Sequence, residues 1–250
     1  MKISTIKSAS LIATVMLAAT TQARASIIIS EVDPNGSANT SYSADWFELT
    51  NTDLVNAVDI TGWKMDDNSS TFASPAPGSA VALRGITSIA PGQTVVFVEG
   101  TTTGQSTAVS PALPNDDASI DSRFKAAWFG SNIPTGFIIG NYGGSGVGLS
   151  ATADAVNIFN AAGTVVTRVD FGVTTLTGGT LDNAVGLSGN VSISTKSIVG
   201  TNGAFTSVTG GEIGSPGLIT TSAVPVPAAV WLFLTGFMGF LGLNRKRKTV

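Results

Sequence analysis

Asp66-Asp67-Asn68 and Asn115-Asp116-Asp117, with Asp121 close behind, are clusters of oxygen donors of the kind that calcium takes. Neither follows the Asp-x-Asx-x-Asx-Gly spacing of a calcium loop, and runs of Asp and Asn are also what solvated turns are made of. Turns are the favoured reading. Asp66, Asp67, Asp116, Asp117 and Asp121 stand behind it as calcium candidates, and no metal or cofactor is expected. Glu31 and Glu48 are a possible carboxylate pair for acid–base work, although edge or capping roles in a β-sandwich are the preferred alternative. Lys64 suggests a Ser-Lys arrangement, but no serine elbow accompanies it. The glycines of residues 140–148 lack both the spacing and the Lys-Ser/Thr ending of a phosphate loop. Trp46, Trp63 and Trp128 are read as core rather than as ligand platforms.

Two missing residue types restrict the chemistry further. There is no Cys, hence no disulfide, thiol nucleophile or thiolate metal site, and no His, hence no Ser-His-Asp triad and no His-ligated zinc or iron. No catalytic residue is assigned, and an enzyme is not expected. All 16 acidic residues but only six of the 13 basic ones lie between residues 26 and 223, a formal charge of −10 there. Such a surface disfavours nucleic acid and anionic headgroups.

The basic residues outside that span belong to two segments that read as addresses. Lys2 and Lys7 precede an apolar run over residues 11–19, followed by Ala23-Arg24-Ala25. That is the layout of a secretory signal, with cleavage expected between Ala25 and Ser26. At the other end, residues 228–243 carry no charge and abut Arg245-Lys246-Arg247-Lys248. As a helix these residues rise about 24 Å, short of a hydrocarbon core of about 30 Å, and residues 223–227 make up the difference. The basic cluster is expected to hold the extreme C-terminus in the cytoplasm.

Between these segments the chain reads as short strands and turns. Strands are expected at residues 26–32, 45–51, 81–83, 94–98, 155–159 and 164–171, with a strand pair around Thr61-Gly62 within residues 58–65. Asp33-Pro34-Asn35-Gly36 and Ala90-Pro91-Gly92-Gln93 are turns, and Asn160-Ala161-Ala162-Gly163 closes a hairpin. In residues 45–51, Phe47 and Leu49 fall on one face and Trp46, Glu48 and Thr50 on the other. One short amphipathic helix is expected over residues 116–129 and a glycine-rich loop over residues 140–148. With no helical crossovers between strands, a sandwich is expected rather than a parallel sheet.

Two resemblances emerge from these residues. Ile29-Ser30-Glu31-Val32, Asp45-Trp46-Phe47-Glu48-Leu49-Thr50-Asn51, Ile60-Thr61-Gly62-Trp63, Ala90-Pro91-Gly92-Gln93-Thr94-Val95-Val96, Asp154-Ala155-Val156-Asn157-Ile158-Phe159 and Gly214-Ser215-Pro216-Gly217 resemble the lamin-tail domain, in order and spacing. That family implies an immunoglobulin-like all-β sandwich over residues 26–217, here with an insertion near residues 110–148. Val224-Pro225-Val226-Pro227-Ala228-Ala229, with Trp231 and the basic end, resembles the PEP-CTERM sorting signal. It implies recognition by an exosortase of a Gram-negative bacterium. Two prolines keep such a motif extended at the membrane boundary, where a processing enzyme can bind it.

The expected organisation is a signal peptide over residues 1–25, the sandwich, a linker over 218–223, and a sorting tail over 224–250 with a transmembrane helix at 228–243. The expected route uses the Sec machinery and signal peptidase, then an inner-membrane intermediate, then the cell surface or extracellular matrix. The expected function is a structural or adhesive surface module, with a polysaccharide or a surface protein as its possible partner. The alternatives are an accessory or binding domain of a secreted hydrolase-type system, and a calcium-dependent binding module.

Overall fold

A computed structural model describes residues 27–36, 41–67, 80–100, 116–143, 147–150, 154–171, 181–182, 192–193 and 196–218. These all belong to the first of the two units into which the chain divides, Met1–Ile219 and Thr220–Val250. The signal segment, the proline motif and the basic cluster lie outside the described residues, as does Asn68. Among the described residues no helix is long and apolar enough to cross a membrane.

The strands are β1 (Ile27–Asp33), β2 (Trp46–Asn51), β3 (Val58–Asp59), β4 (Lys64–Asp66), β5 (Val81–Ala82), β6 (Ser88–Ile89) and β7 (Thr94–Glu99). Helix α1 (Asp117–Phe129) follows, then β8 (Ile139–Tyr142), β9 (Asp154–Phe159), β10 (Val165–Phe171), β11 (Leu181–Asp182), β12 (Ser192–Ile193), β13 (Phe205–Thr206) and β14 (Ile213–Gly214). The first sheet runs β11-β1-β2-β7-β8 and the second β12-β10-β9-β4-β5. Alternating residues of β1, β2 and β7 (Ile27, Ile29, Phe47, Leu49, Val95, Phe97) meet Met65, Val156, Ile158, Val169 and Phe171 of the second sheet in one apolar core. Phe47 and Phe97 stack there with ring centroids 5.6 Å apart. The main architecture is all-β, two facing sheets with one short helix, as the alternation of residues 45–51 predicts.

The opposite face of the first sheet is also covered, which alternation alone does not reveal. Every residue of β1 and β2 is buried. A second core joins Trp46, Val96 and Val98 of this face to Ile120, Phe124, Ala127 and Trp128 of α1. Those helix positions recur at intervals of four, three and one, so they form a stripe along one side. The helix begins where expected: Asp116 caps it by accepting from the Ser119 amide at 3.0 Å, and Asp117 adds a negative charge to the first turn. Gly130 ends it, with φ at 59°.

Three expectations need correction. The strands β7 and β8 are parallel neighbours, and α1 lies between them in the chain, so one helical crossover does exist. The segment near residues 110–148 thus supplies both an edge strand and the lid of the second core. Residues 139–142 form β8 rather than a loop. Gly140 is needed there for close approach: a Cβ on it would lie 2.5 Å from the Arg84 carbonyl oxygen and 2.9 Å from the Phe97 ring. Finally, the strands either side of Thr61-Gly62 do not pair with each other. The first, β3, pairs with β6, while β4 pairs with β5 and β9, so the turn hands the chain from one sheet to another. The hairpin of β9 and β10 forms as expected.

Gly140→Ala should therefore cost about 1–3 kcal/mol, the scale of forced overpacking. Gly148→Ala, whose Cβ would meet its nearest atom at an ordinary 3.6 Å, should stay within about 1 kcal/mol. Guanidinium midpoints of the two variants check the contrast, and equal losses would refute the close-approach account.

Candidate functional site

Glu31 and Glu48 come together, but not at an edge. They are cross-strand partners on β1 and β2, interior strands of the first sheet, and neither has any solvent exposure. A bulge sets this up. The register shifts between Ile29 and Glu31, so Ile29 and Val32 both reach the inter-sheet core. Glu31 is thereby turned to the outer face beside Glu48.

Two buried carboxylates side by side repel, and each also loses its hydration, so donors must replace the water. They come largely from residues 196–218, a strap crossing the same face. Glu31 accepts from the Ser197 hydroxyl at 2.9 Å, the Ser215 amide at 3.0 Å and the Ser215 hydroxyl at 3.1 Å. Glu48 accepts from the Gly217 amide at 2.5 Å and the Ser30 hydroxyl at 2.7 Å. The amides are aimed by a type II turn, in which Leu218 N–H donates to the Ser215 carbonyl at 2.8 Å. Pro216 takes its second position and Gly217, with φ at 72°, its third.

Behind Glu48 a line of hydroxyls has a fixed polarity. Ser30 donates to Glu48, and Thr50 donates to Ser30 at 2.8 Å, so the 2.9 Å contact between Thr50 and Thr94 must be donated by Thr94. Beside Glu31 a second hub forms on Tyr42. Its hydroxyl donates to Glu212 of the strap at 2.7 Å, lies 3.4 Å from Asp33, and accepts from the Trp46 indole at 3.3 Å. Burial, then the Glu212 charge, pushes the Asp33 carboxyl well above its usual range. Burial and the same two acids raise the Tyr42 phenol well above its ordinary value.

A further acidic position lies at the end of β7. Glu99 pairs in register with Tyr142, and its amide donates to the Asp45 carbonyl at 2.8 Å. Burial, with the Asp45 charge second, raises the Glu99 carboxyl to about 7. Tyr142 is fully buried, and its hydroxyl has no hydrogen-bond partner among the described residues. Burial and then the Glu99 charge hold that phenol well above its ordinary value.

The calcium candidates are placed in different layers. Asp66 and Asp67 are buried at the end of β4 in the second sheet. Asp116 caps α1, and the Ser119 hydroxyl bonded to it lowers its pKa. Asp117 forms a two-pronged pair with Arg84, at 3.0 and 2.9 Å, and Asp121 accepts from the Asn141 amide at 2.9 Å. Among the described residues, no group of three or more acidic side chains is disposed to hold a metal ion. Lys64 lies half-buried on β4. Trp46, Trp63 and Trp128 are all buried, as expected.

Sequence reasoning missed Asp33, Tyr42, Glu99, Glu212 and the hydroxyl line. An acid inside an apolar run does mark Glu31, but nothing local marks Tyr42 or Glu212, whose partners lie far along the chain. As chemistry, the cluster immobilises chain: its carboxylates face inward and accept from the protein's own amides and hydroxyls.

Two outcomes follow from these contacts. Millimolar calcium should leave the melting temperature nearly unchanged, and a rise of many degrees, the signature of tight binding, would contradict the partners assigned to Asp116, Asp117 and Asp121. A carboxyl whose folded pKa is raised binds its proton more tightly folded than unfolded. Glu99 should thus stabilise fully below its ordinary pKa of 4.5, and that stability is lost as pH rises towards about 7. The loss should be about 1–3 kcal/mol. Glu99→Gln should flatten this part of the pH–stability curve, measured by denaturant titration from pH 4.5 to 8.

A family model described as Lamin Tail Domain matches residues 20–172, from before β1 to the end of β10. No match was found among curated proteins. The matched stretch contains both carboxylate strands and four strands of each facing sheet, but stops short of the edge strands β11 and β12 and of the strap. This chain belongs to the Lamin Tail Domain family.

Proposed function

We propose that the chain is a non-catalytic module of the cell surface or extracellular matrix of a Gram-negative bacterium, exported by the Sec route and sorted through its C-terminal tail. The observation that carries the non-catalytic part is the commitment of Glu31 and Glu48. Both are fully buried, and they accept from Ser215 and Gly217 of the same chain. A general acid or base has to reach a substrate, and these two have none within reach. The lack of His and Cys removes the commonest alternatives. Membership of the Lamin Tail Domain family supports a structural or binding role. The acidic balance of residues 26–223 supports a soluble surface that avoids nucleic acid and suits a polysaccharide or another surface protein as partner.

The sorting part rests on sequence. Val224-Pro225-Val226-Pro227 directly precedes an apolar stretch barely long enough to span, and Arg245-Lys246-Arg247-Lys248 follows it. A permanent anchor has no use for two prolines at that boundary, whereas a processing enzyme needs an extended strand there. An exosortase-type enzyme is the proposed partner, and the membrane holds the chain only before processing. Mass spectrometry of the protein recovered from the host surface should find no peptide beyond the motif, so Trp231 and everything after it are absent. Replacing Pro225 and Pro227 with Ala should leave the chain in the inner membrane with its C-terminus intact. Recovery of mature surface protein that retains Arg245 and Lys246 would refute sorting and make the tail an ordinary anchor.

A further inference from the structure

The two apolar cores share the first sheet but no side chain. The inter-sheet core contains no residue of α1 or of the strap. The outer core consists of Tyr42, Ala44, Trp46, Val96 and Val98 on the sheet side, and of Ile120, Phe124, Ala127, Trp128 and Phe129 on the helix side. Phe205 and Leu218 of the strap pack against it. Strap and helix are also joined directly. Thr209 N–H donates to the Ala127 carbonyl at 3.0 Å, and Phe205 lies edge-on to Trp128 with centroids 5.6 Å apart. A Cβ on Gly130 would touch Val208 at 3.6 Å. Against the sheet, the strap is fastened by carboxylates: Glu31 on Ser197 and Ser215, Glu48 on Gly217, and Glu212 on Tyr42.

We propose that residues 196–218 and α1 form one cooperative clasp, locked by Glu31 and Glu48 on the Ser215-Pro216-Gly217 turn, which opens as a unit while the two-sheet sandwich stays folded. The physical basis is the separation of the cores. Opening the outer one gives up burial on one face of the first sheet and leaves the inter-sheet contacts in place, so its free energy is lower than that of global unfolding. The strap cannot leave alone without stripping Phe205 from Trp128 and Phe129, nor the helix without losing the bond from Thr209 to Ala127. Opening bares Trp46, Val96 and Val98, an aromatic and apolar strip otherwise hidden. The strap half of this device lies beyond residue 172, where the family match ends, while α1 and the two carboxylates lie within the match.

Native-state hydrogen exchange on the full chain, in mild guanidinium, tests this. Strap amides (Gly200, Ser207, Thr209, Gly217, Leu218) and those of α1 should share one denaturant-dependent opening. Its free energy should lie below that of the β2, β7 and β9 amides. Gly217→Ala acts on the lock, because Gly217 has φ at 72° and its added Cβ would lie 2.6 Å from the Phe137 ring. It should raise exchange of strap and helix together by at least about tenfold and leave β9 and β10 within about twofold. Glu48→Gln is the milder second variant and should act in the same direction. Strap amides that exchange only with the whole domain would overturn the proposal. A strap that opens while α1 stays protected would overturn it equally, as would a Gly217→Ala effect spread evenly over all strands.

Discussion

The central strands of the first sheet are buried on both faces, and most of the structure answers to that constraint. A sheet in a two-layer sandwich presents its outer side to water, where Glu31, Asp33, Asp45 and Glu48 would need no partners. Here α1 and the strap cover that side, and each acid must be satisfied from within. Backbone amides of Ser215 and Gly217 meet this demand because a turn can aim two of them at neighbouring carboxylates. The hydroxyl line of Thr94, Thr50 and Ser30 continues the same solution along the sheet. The bulge at Ser30 is its precondition, since an unbroken β1 would turn Glu31 into the inter-sheet core.

Much of the fold was legible in the sequence for a simple reason. Period-two alternation in residues 45–51 reports which side chains share a face, and the hairpin of β9 and β10 is set by its own Asn-Ala-Ala-Gly turn. What alternation does not report is what lies on each face. Trp46, Glu48 and Thr50 do share one face, yet their burial depends on a helix about 70 residues downstream and a strap more than 150 downstream. Residues 140–142 read as part of a glycine-rich loop over 140–148, because glycine and asparagine have low strand preference. Close packing under Arg84 and Phe97 outweighs that preference and makes glycine necessary.

The carboxylate pair was visible as an anomaly, since Glu31 interrupts the apolar stretch of β1. Its meaning was not, because the Gly-Ser-Pro-Gly segment that answers it reads locally as an ordinary turn. Each half is ambiguous alone and specific only when joined. The acidic triplet at Asp116, Asp117 and Asp121 shows the converse. Its spacing suggests one shared site, and Asp117 and Asp121 do share one side of α1, but their oxygens are taken up by Arg84 and Asn141, while Asp116 caps the helix on Ser119. A cluster of acids whose oxygens already have partners in the protein is not an open metal site.

The position of the turn also sets how the domain meets a load. The chain leaving Leu218 does so immediately after Gly217, which is bound to Glu48 on β2. Strand β2 is hydrogen-bonded on both sides, to β1 and to β7. Tension arriving from the C-terminal direction therefore reaches the middle of a sheet before it reaches any edge strand. Edge strands peel one hydrogen bond at a time, whereas a central strand shares the force across two ladders. The Leu218 amide on Ser215 and then the Gly217 amide on Glu48 are the first hydrogen bonds to strain, and they stand between that pull and the sandwich.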